Sequence, residues 1–295
     1  MDVSICVCTY KRQSVLETID SVLAQDCLGL VNAEIVVCDD APARFARPLI
    51  EAVTATSPIP IRYVASGAAN VAVARNACVS AARGEWIAFI DDDETAERNW
   101  LSQLLTIQRA FRADVVKGYV RAIYPPETPG WVIASDPYTR DYGPDGTPIV
   151  SVASGNVLFR RSFVSVDGIA FNPDFGRSGG EDTDFFDRVR SRGAGMVASR
   201  SAVVKEIVPP SRVTTEYFRR RYRRFGQTDG KKALSFSLLH RAMQTCKALA
   251  FTLLLWPYPA TLLLNRRIYF LCLRKFWYSL GILEGLLGKN TEELN

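Results

Sequence analysis

Three consecutive aspartates, Asp91-Asp92-Asp93, end the apolar run Trp86-Ile87-Ala88-Phe89-Ile90. Such a run reads as a buried strand of a parallel sheet, and open α/β sheets bind ligands beyond the carboxyl ends of their strands. Three adjacent carboxylates crowd like charges and raise one another's pKa unless a cation or basic group neutralises them. With no His or Cys nearby, the donor atoms are oxygens. That set suits hard Mg2+ or Mn2+, ions that share their coordination sphere with substrate phosphates. Asp91 and Asp93, two positions apart, have room to reach one ion directly and through water, which leaves Asp92 free to point elsewhere. A lone aspartate at a strand end would more simply cap a turn.

A second acidic group, Gly179-Gly180-Glu181-Asp182-Thr183-Asp184, is followed by Phe185, Phe186 and Val189 at a spacing compatible with the buried stripe of a helix. Glycines let the backbone approach a ligand closely, and acids complement the positive end of a helix dipole. A carboxylate placed there can also act as a general base. The residue types leave dipole complement and base both open.

The elements that must position these groups alternate along the chain. Val3-Ser4-Ile5-Cys6-Val7-Cys8 reads as a strand, and Ser14-Val15-Leu16-Glu17 matches a capping box opening a helix with Leu16, Ile19, Val22 and Leu23 at helical spacing. Ile35-Val36-Val37-Cys38 is a strand stopped by Asp39-Asp40. Further strands are expected at 61–65, 86–90, 115–119 and 157–159, with helices near 71–82 and 100–110. This alternation predicts an α/β domain with a mainly parallel sheet covered by helices, so that Asp39-Asp40 and Asp91-Asp93 face one crevice. Residues 124–148, rich in Pro, Gly, Asp and Tyr, read as a long surface loop, either a substrate lid or a plain flexible connection.

The chain has 295 residues and 48% hydrophobic content, enough for one sizeable domain plus an appendage. Its net charge of +5 hides an asymmetry, because residues 205–295 hold 16 Lys/Arg against 6 Asp/Glu while the front is acidic. The basic charges flank apolar stretches, which favours an anionic membrane surface or lipid phosphates over nucleic acid. The seven cysteines form no CxxC pair and read as reduced thiols of a cytoplasmic compartment, several of them inside strands or helices. The chain opens directly on a strand instead of a basic segment with a long apolar core, so the catalytic part is not expected to be secreted.

Thr9-Tyr10-Lys11-Arg12, Asp39-Asp40, Ala74-Arg75-Asn76, Asp91-Asp92-Asp93 and Gly180-Glu181-Asp182 occur in one order. As an ordered set over residues 1–205 they resemble glycosyltransferase family 2, and the chain looks like exopolysaccharide-assembly members of the succinoglycan type. The resemblance implies a GT-A (Rossmann-like) nucleotide-sugar-binding domain and inversion at the anomeric carbon. It implies that Thr9, Tyr10, Arg12, Asp39, Arg75, Asp91 and Asp92 serve the nucleotide, with Asp39 on a uracil ring nitrogen and Arg75 near the phosphates. Asp93, assisted by Asp91, would hold Mn2+ or Mg2+, and Asp182 would be the catalytic base with Glu181 orienting it or binding acceptor hydroxyls. Asp40 is as well explained by capping its turn, and Ser154-Gly155-Asn156 resembles an acceptor-side segment while reading equally as a plain turn. Cys8, Lys11 and Ala72 depart from the residues frequent in the family at those positions.

Behind the catalytic domain (1–205) the sequence suggests a basic helical linker (206–240) and a helical, membrane-associating region (241–295). Arg219-Arg220-Arg221-Tyr222-Arg223-Arg224 could clamp phosphates or form a solvated basic face. Residues 248–264 carry no charge, yet they are short for a span and contain Pro257 and Pro259, so spanning, re-entrant and interfacial placements stay open. Residues 268–287 mix Phe270, Phe276, Trp277 and Tyr278 with Arg274 and Lys275 in the pattern of an interfacial helix, or of a buried hairpin. The single histidine, His240, reads as part of an amphipathic helix and stays outside the metal set. The expected partners are a UDP-sugar and a polyprenyl-diphosphate-linked saccharide at the cytoplasmic face of the plasma membrane, with no nucleic acid. A nucleotidyltransferase would also use paired aspartates around Mg2+, but residues 8–12 lack its glycine-rich phosphate loop. A non-catalytic nucleotide-sugar-binding scaffold is the remaining alternative.

Overall fold

The computed structural model describes residues 2–176, 179–234, 236–263 and 265–288. Two compact units emerge, one of residues 1–122 and 139–206, the other of 123–138 and 207–295. The first is built on an eight-stranded sheet of order β3-β2-β1-β4-β7-β6-β8-β5. Its strands are β1 (Val3–Thr9), β2 (Ala33–Asp39), β3 (Ile61–Ala65), β4 (Trp86–Phe89), β5 (Glu94–Ala96), β6 (Val115–Ile123), β7 (Val157–Arg160) and β8 (Met196–Ile207).

The expected alternation holds for the first half only. β1 pairs in parallel with β2 and β4, and β2 with β3. β7 then enters antiparallel to both β4 and β6, and β5 runs antiparallel to β8, so the sheet is mixed and not mainly parallel. The physical reason is the route of the chain. No crossover helix carries it back to the starting edge before β7, and a strand that returns directly must run the other way.

This topology gathers the chemistry. The register Thr9↔Asp39 and Cys6↔Phe89 puts the carboxyl ends of β1, β2 and β4 on one edge. Because β7 is reversed, Val157 lies opposite Phe89 and the residues just before β7 reach that same edge.

Alternate side chains of the central strands supply two cores. Val3, Ile5, Val7, Ile35 and Val37 face one, with Val15, Ile19 and Val22 of α1 (Val15–Leu23). Cys6, Val36 and Cys38 face the other, with Ala74 and Cys78 of α3 (Val71–Ala81). Strands covered on both faces need no polar alternation, which is why they read as continuous apolar runs. The capping box expected at Ser14 does not form. Its backbone is already helical and its side chain makes no cap bond, whereas Asn70 caps α3 by accepting from the backbone N–H of Ala72 and Val73.

The expected loop 124–148 is partly structured. Residues 130–135 form α5 (Gly130–Ser135), with Trp131 and Val132 buried, after α2 (Arg47–Thr54) and α4 (Trp100–Phe111). Past α6 (Ser162–Ser165) and α7 (Glu181–Ser191), residues 206–240 are not a separate linker. They belong mainly to the second unit, with α8 (Thr215–Ala233), α9 (Leu238–Leu255) and α10 (Arg266–Leu286). His240 falls in α9, and its side chain lies outside the described residues. Among the described residues no helix is long and apolar enough to cross a membrane, which removes the spanning reading of 248–264 there.

α8 and α10 approach at matched glycines, Gly226 and Gly230 on one helix, Gly281 and Gly285 on the other. A Cβ on Gly281 would collide with the Arg223 carbonyl, and one on Gly285 with the Gln227 carbonyl. Beside this contact Arg223 Nε and Gln227 Nε2 donate to Glu284 Oε2 at 2.6 and 2.7 Å. Gly281→Ala should therefore destabilise the second unit. Overpacking a rigid contact costs about 1–3 kcal/mol, which exceeds the gain in helix propensity of about 1 kcal/mol. Urea unfolding followed by circular dichroism checks this, and an unchanged or raised midpoint would mean that the helices do not touch there.

Candidate active site

The three aspartates after β4 diverge, which is how like charges at adjacent positions are tolerated. Asp92 turns inward, where its Oδ2 accepts from the Thr9 hydroxyl at 2.7 Å and its Oδ1 from Arg12 Nη1 at 2.8 Å. Burial raises the Asp92 pKa, against the pull of Arg12 and the Thr9 bond. The same Arg12 nitrogen donates to Asp93 Oδ2 at 2.6 Å. Thr9, Arg12 and Asp92 thus bind one another and tie the end of β1 to the end of β4. Tyr10 beside them is 44% exposed.

Asp91 takes a third direction. Its backbone N–H donates to Glu94 Oε2 at 3.1 Å, and among the described residues its carboxylate accepts no hydrogen bond. It lies against Gly155, where an added Cβ would stand 2.5 Å from Asp91 Oδ2. Among the described residues no group of three or more His, Cys, Asp or Glu side chains could hold a metal. Carboxylate oxygens are nevertheless the donor type that a hard divalent ion prefers, with water and substrate phosphates completing its shell.

Opposite them, α7 starts after two glycines in the left-handed region, Gly179 at φ 85° and Gly180 at φ 98°. Its stripe Phe185, Phe186 and Val189 is buried as the spacing predicts, with Phe185 stacked on Phe171 at 4.0 Å between ring centroids. This packing fixes the two acids differently. Glu181 is buried and ion-paired with Arg75, whose guanidinium also lies 5.7 Å from the Phe171 ring centroid. Asp182 is partly exposed, and its Oδ2 accepts from the Ser154 backbone N–H at 3.4 Å. Ser154 and Gly155 therefore touch Asp182 and Asp91 respectively.

Asp39, paired with Thr9 across β1 and β2, engages its own set of partners. It is fully buried, its Oδ1 accepts from the Ala41 N–H at 3.0 Å, and its Oδ2 accepts from the Ala46 N–H at 2.6 Å and the Tyr63 hydroxyl at 3.1 Å. Burial and the Asp39 charge push the Tyr63 hydroxyl up to about 12. A covered carboxylate with both oxygens engaged shapes the loop that follows β2. Asp40 likewise holds its turn, accepting from Ser66 Oγ at 2.7 Å and the Ala68 N–H at 3.2 Å. Arg75, expected near phosphates, is ion-paired with Glu181, and the Asp91 charge acts on it as well.

Beneath the Ser154–Gly155 turn lies a charged cluster that the motif reading passed over. Lys117 of β6 is fully buried and donates to the Gly155 and Asn156 carbonyls. Glu94 is also fully buried, 4.0 Å from Arg140, which in turn bonds Glu206 at 2.7 Å. Burial raises the Glu94 pKa, reinforced by Asp91, and lowers that of Lys117, opposed by Glu94. The signal was present in the sequence. A lysine inside Val115-Val116-Lys117-Gly118 breaks an otherwise apolar strand, and a buried charge needs partners.

Residues 4–166 match the profile of Glycosyl transferase family 2, and this chain belongs to that family. It is a glycosyltransferase. It is 35% identical over 231 residues to the succinoglycan biosynthesis protein ExoM of Rhizobium meliloti (strain 1021), covering 78% of this chain and 75% of that protein. The R. meliloti succinoglycan biosynthesis protein ExoO matches at 35% identity over 107 residues, which is 35% of this chain and 29% of that one. In fold the chain resembles S. aureus TarS. Against TarS 1-349 in complex with UDP-GlcNAc the TM-score is 0.55 at 15% identity, covering 99% of this chain and 93% of that chain, and it spans 55% of the longer TarS crystal structure. The GT-A-like α/β architecture, with its mixed sheet, is shared.

Breaking the Arg75–Glu181 pair should be costly. Glu181→Ala leaves a buried guanidinium without its partner and should destabilise by about 3–5 kcal/mol, whereas Asp182→Ala, at a partly exposed position, should stay within about 1 kcal/mol of wild type. Equal unfolding midpoints for the two variants in urea would contradict the pairing.

Proposed function

We propose that this chain is an inverting, metal-dependent hexosyltransferase that moves a sugar, with glucose from UDP-glucose the first candidate, onto a hydroxyl of a lipid-linked saccharide in surface polysaccharide assembly. The observation that carries the reading is the Ser154–Gly155 turn, which has Asp91 against one residue and Asp182 against the other. A single displacement needs a leaving-group side and a base side, and this turn brings one acid of each cluster against adjacent residues. The similarity to ExoM supports the polysaccharide context, and the UDP-GlcNAc complex of TarS supports a nucleotide-sugar donor.

Asp91 and Asp93 would hold Mn2+ or Mg2+, which when bound supplies Lewis-acid stabilisation to the departing diphosphate. Arg12 neutralises Asp92 and part of Asp93, so the cluster does not present its full negative charge to an anionic donor. Thr9 and Asp92 brace the loop that carries Tyr10, whose exposed ring is available to the base or ribose. Asp39 organises the loop beside the expected base site by accepting from the Ala41 and Ala46 N–H groups. Asp182, on the partly exposed first turn of α7, accepts the proton of the attacking hydroxyl. Glu181, paired with Arg75, holds that turn in place.

Membrane attachment through the second unit completes the proposal. Leu253, Leu254 and Trp256 are 75%, 72% and 74% exposed, near Arg266 and Arg267 in sequence. An apolar face flanked by cations suits an anionic lipid surface at the cytoplasmic side, where a polyprenyl-linked acceptor resides.

A panel of UDP-sugars, assayed for UDP release with Mn2+ or Mg2+ and a lipid extract, tests the reaction. Asp93→Ala and Asp182→Asn should each lower transfer by at least about 100-fold, while only Asp182→Asn retains metal-dependent UDP binding. Transfer at the wild-type rate by Asp182→Asn would rule out the base assignment. Replacing Leu253, Leu254 and Trp256 together by Ser should abolish co-sedimentation with phosphatidylglycerol vesicles, and unchanged sedimentation would remove the membrane reading.

A further inference from the structure

We propose that Lys117 is a positioning residue for sugar transfer: its buried ammonium pins the Ser154-Gly155-Asn156 turn, and that turn sets the spacing between Asp91 and Asp182. The inference rests on the roles proposed above for those two aspartates.

A buried ammonium is costly unless its three N–H donors and its charge are answered. Here the Gly155 carbonyl takes one donor, and the Asn156 carbonyl accepts another at 3.3 Å. The Tyr142 ring lies 5.6 Å from Nζ, within range of a cation–π contact. All three partners lie in or against the site, so the charge holds the turn where an apolar residue of the same volume would only fill space.

The turn is clamped from a second direction. Asn156 is fully buried and sits at φ 47°, in the left-handed region that asparagine tolerates better than most non-glycine residues. Its Oδ1 accepts from Trp100 Nε1 at 2.7 Å, and its Nδ2 donates to the Tyr119 and Ala202 carbonyls at 2.9 and 3.0 Å. Its own carbonyl accepts from the Gly118 N–H at 2.9 Å, next to Lys117 in β6. Gly118 must lack a side chain, since a Cβ there would collide with the Asn156 amide. With Asn156 fixed and the Gly155 carbonyl held, the Cα of Gly155 bears on Asp91 and the Ser154 N–H reaches Asp182. A shift of the turn would move both carboxylates at once.

Electrostatics adds a second consequence. Asp91, Asp182 and Glu94 all act on Lys117 as negative neighbours. A fixed cation below the turn lets these acids coexist in a site that must also receive a diphosphate.

Lys117→Met keeps the volume of the stem and deletes the charge and its donors. Transfer from the UDP-sugar that the wild type consumes should fall about 100-fold, the scale of an ångström-sized misplacement, while the affinity for UDP without metal, read by calorimetry, changes less than about 3-fold and the gain in affinity that Mn2+ brings is reduced, because Asp91 moves with the turn. The double variant Lys117→Met/Glu94→Gln removes both buried charges. It should regain stability but not rate, a split that mere charge balance does not produce. A Lys117→Met enzyme within 3-fold of the wild-type rate, a loss of metal-free UDP affinity in parallel with the rate, or recovery of rate in the double variant would each overturn the proposal. If Lys117→Met does not fold, the double variant alone decides. If neither folds, Gly155→Ala decides, since it crowds Asp91 with Lys117 in place, and a rate within 3-fold of wild type overturns the proposal. Asp182→Asn, run alongside, separates the two readings. Full transfer by Asp182→Asn removes the base assignment, whereas its inactivity together with an active Lys117→Met removes the pin alone.

Discussion

The site depends on keeping four carboxylates, Asp91, Asp92, Asp93 and Glu94, at the end of one strand. At consecutive positions their mutual repulsion is large, and the fold answers each one separately. Asp92 goes to Thr9 and Arg12, Asp93 shares Arg12, and Glu94 is sunk among Lys117 and Arg140. Only Asp91 is left without a protein cation in contact among the described residues. The charge that remains available to a ligand is therefore much smaller than the sequence suggests, and it is concentrated where β7 brings in its preceding turn.

The reversed strand serves that distribution. A parallel β7 would present its carboxyl end at the catalytic edge and send residues 154–156 to the opposite side of the sheet. Running antiparallel to β4, it places the start of the strand beside Asp91 and lets α7, packed through Phe185 and Phe186 onto the same core as Phe159, present Asp182 nearby. The aromatic core is thus part of the catalytic geometry, because it sets the height of the first turn of α7 relative to the sheet.

Much of this was legible in the residues. Strands buried on both faces announce themselves as apolar runs, so β1, β2, β4 and β7 are found directly, and the stripe of α7 follows from its spacing. The acids at 91–93 and 181–182 stand out because charge at the end of an apolar run is unusual. Strand direction is another matter. It depends on the return path of the chain, which local hydrophobicity does not encode, and β8 escapes notice because Arg200, Lys205 and Glu206 interrupt its apolar character. Partnerships between distant residues were equally hidden. Thr9 and Asp92 are 83 positions apart, and the bonds that the Ala46 N–H and the Tyr63 hydroxyl donate to Asp39 join residues that the sequence does not bring together. The Ser14–Glu17 match failed for a simpler cause, since a residue already in helical conformation has no open N-terminal turn of its own to close.

The glycine-on-glycine seam between α8 and α10 has an implication for where the second unit can work. Helices joined mainly by expulsion of water from large apolar side chains lose their adhesive in oil, because the competing solvent is equally greasy. Helices joined by intimate backbone approach and by a partly buried Arg223–Glu284 pair draw on dispersion and polar bonding, which do not fade in hydrocarbon. Such a joint keeps its form whether the surrounding medium is aqueous or lipidic.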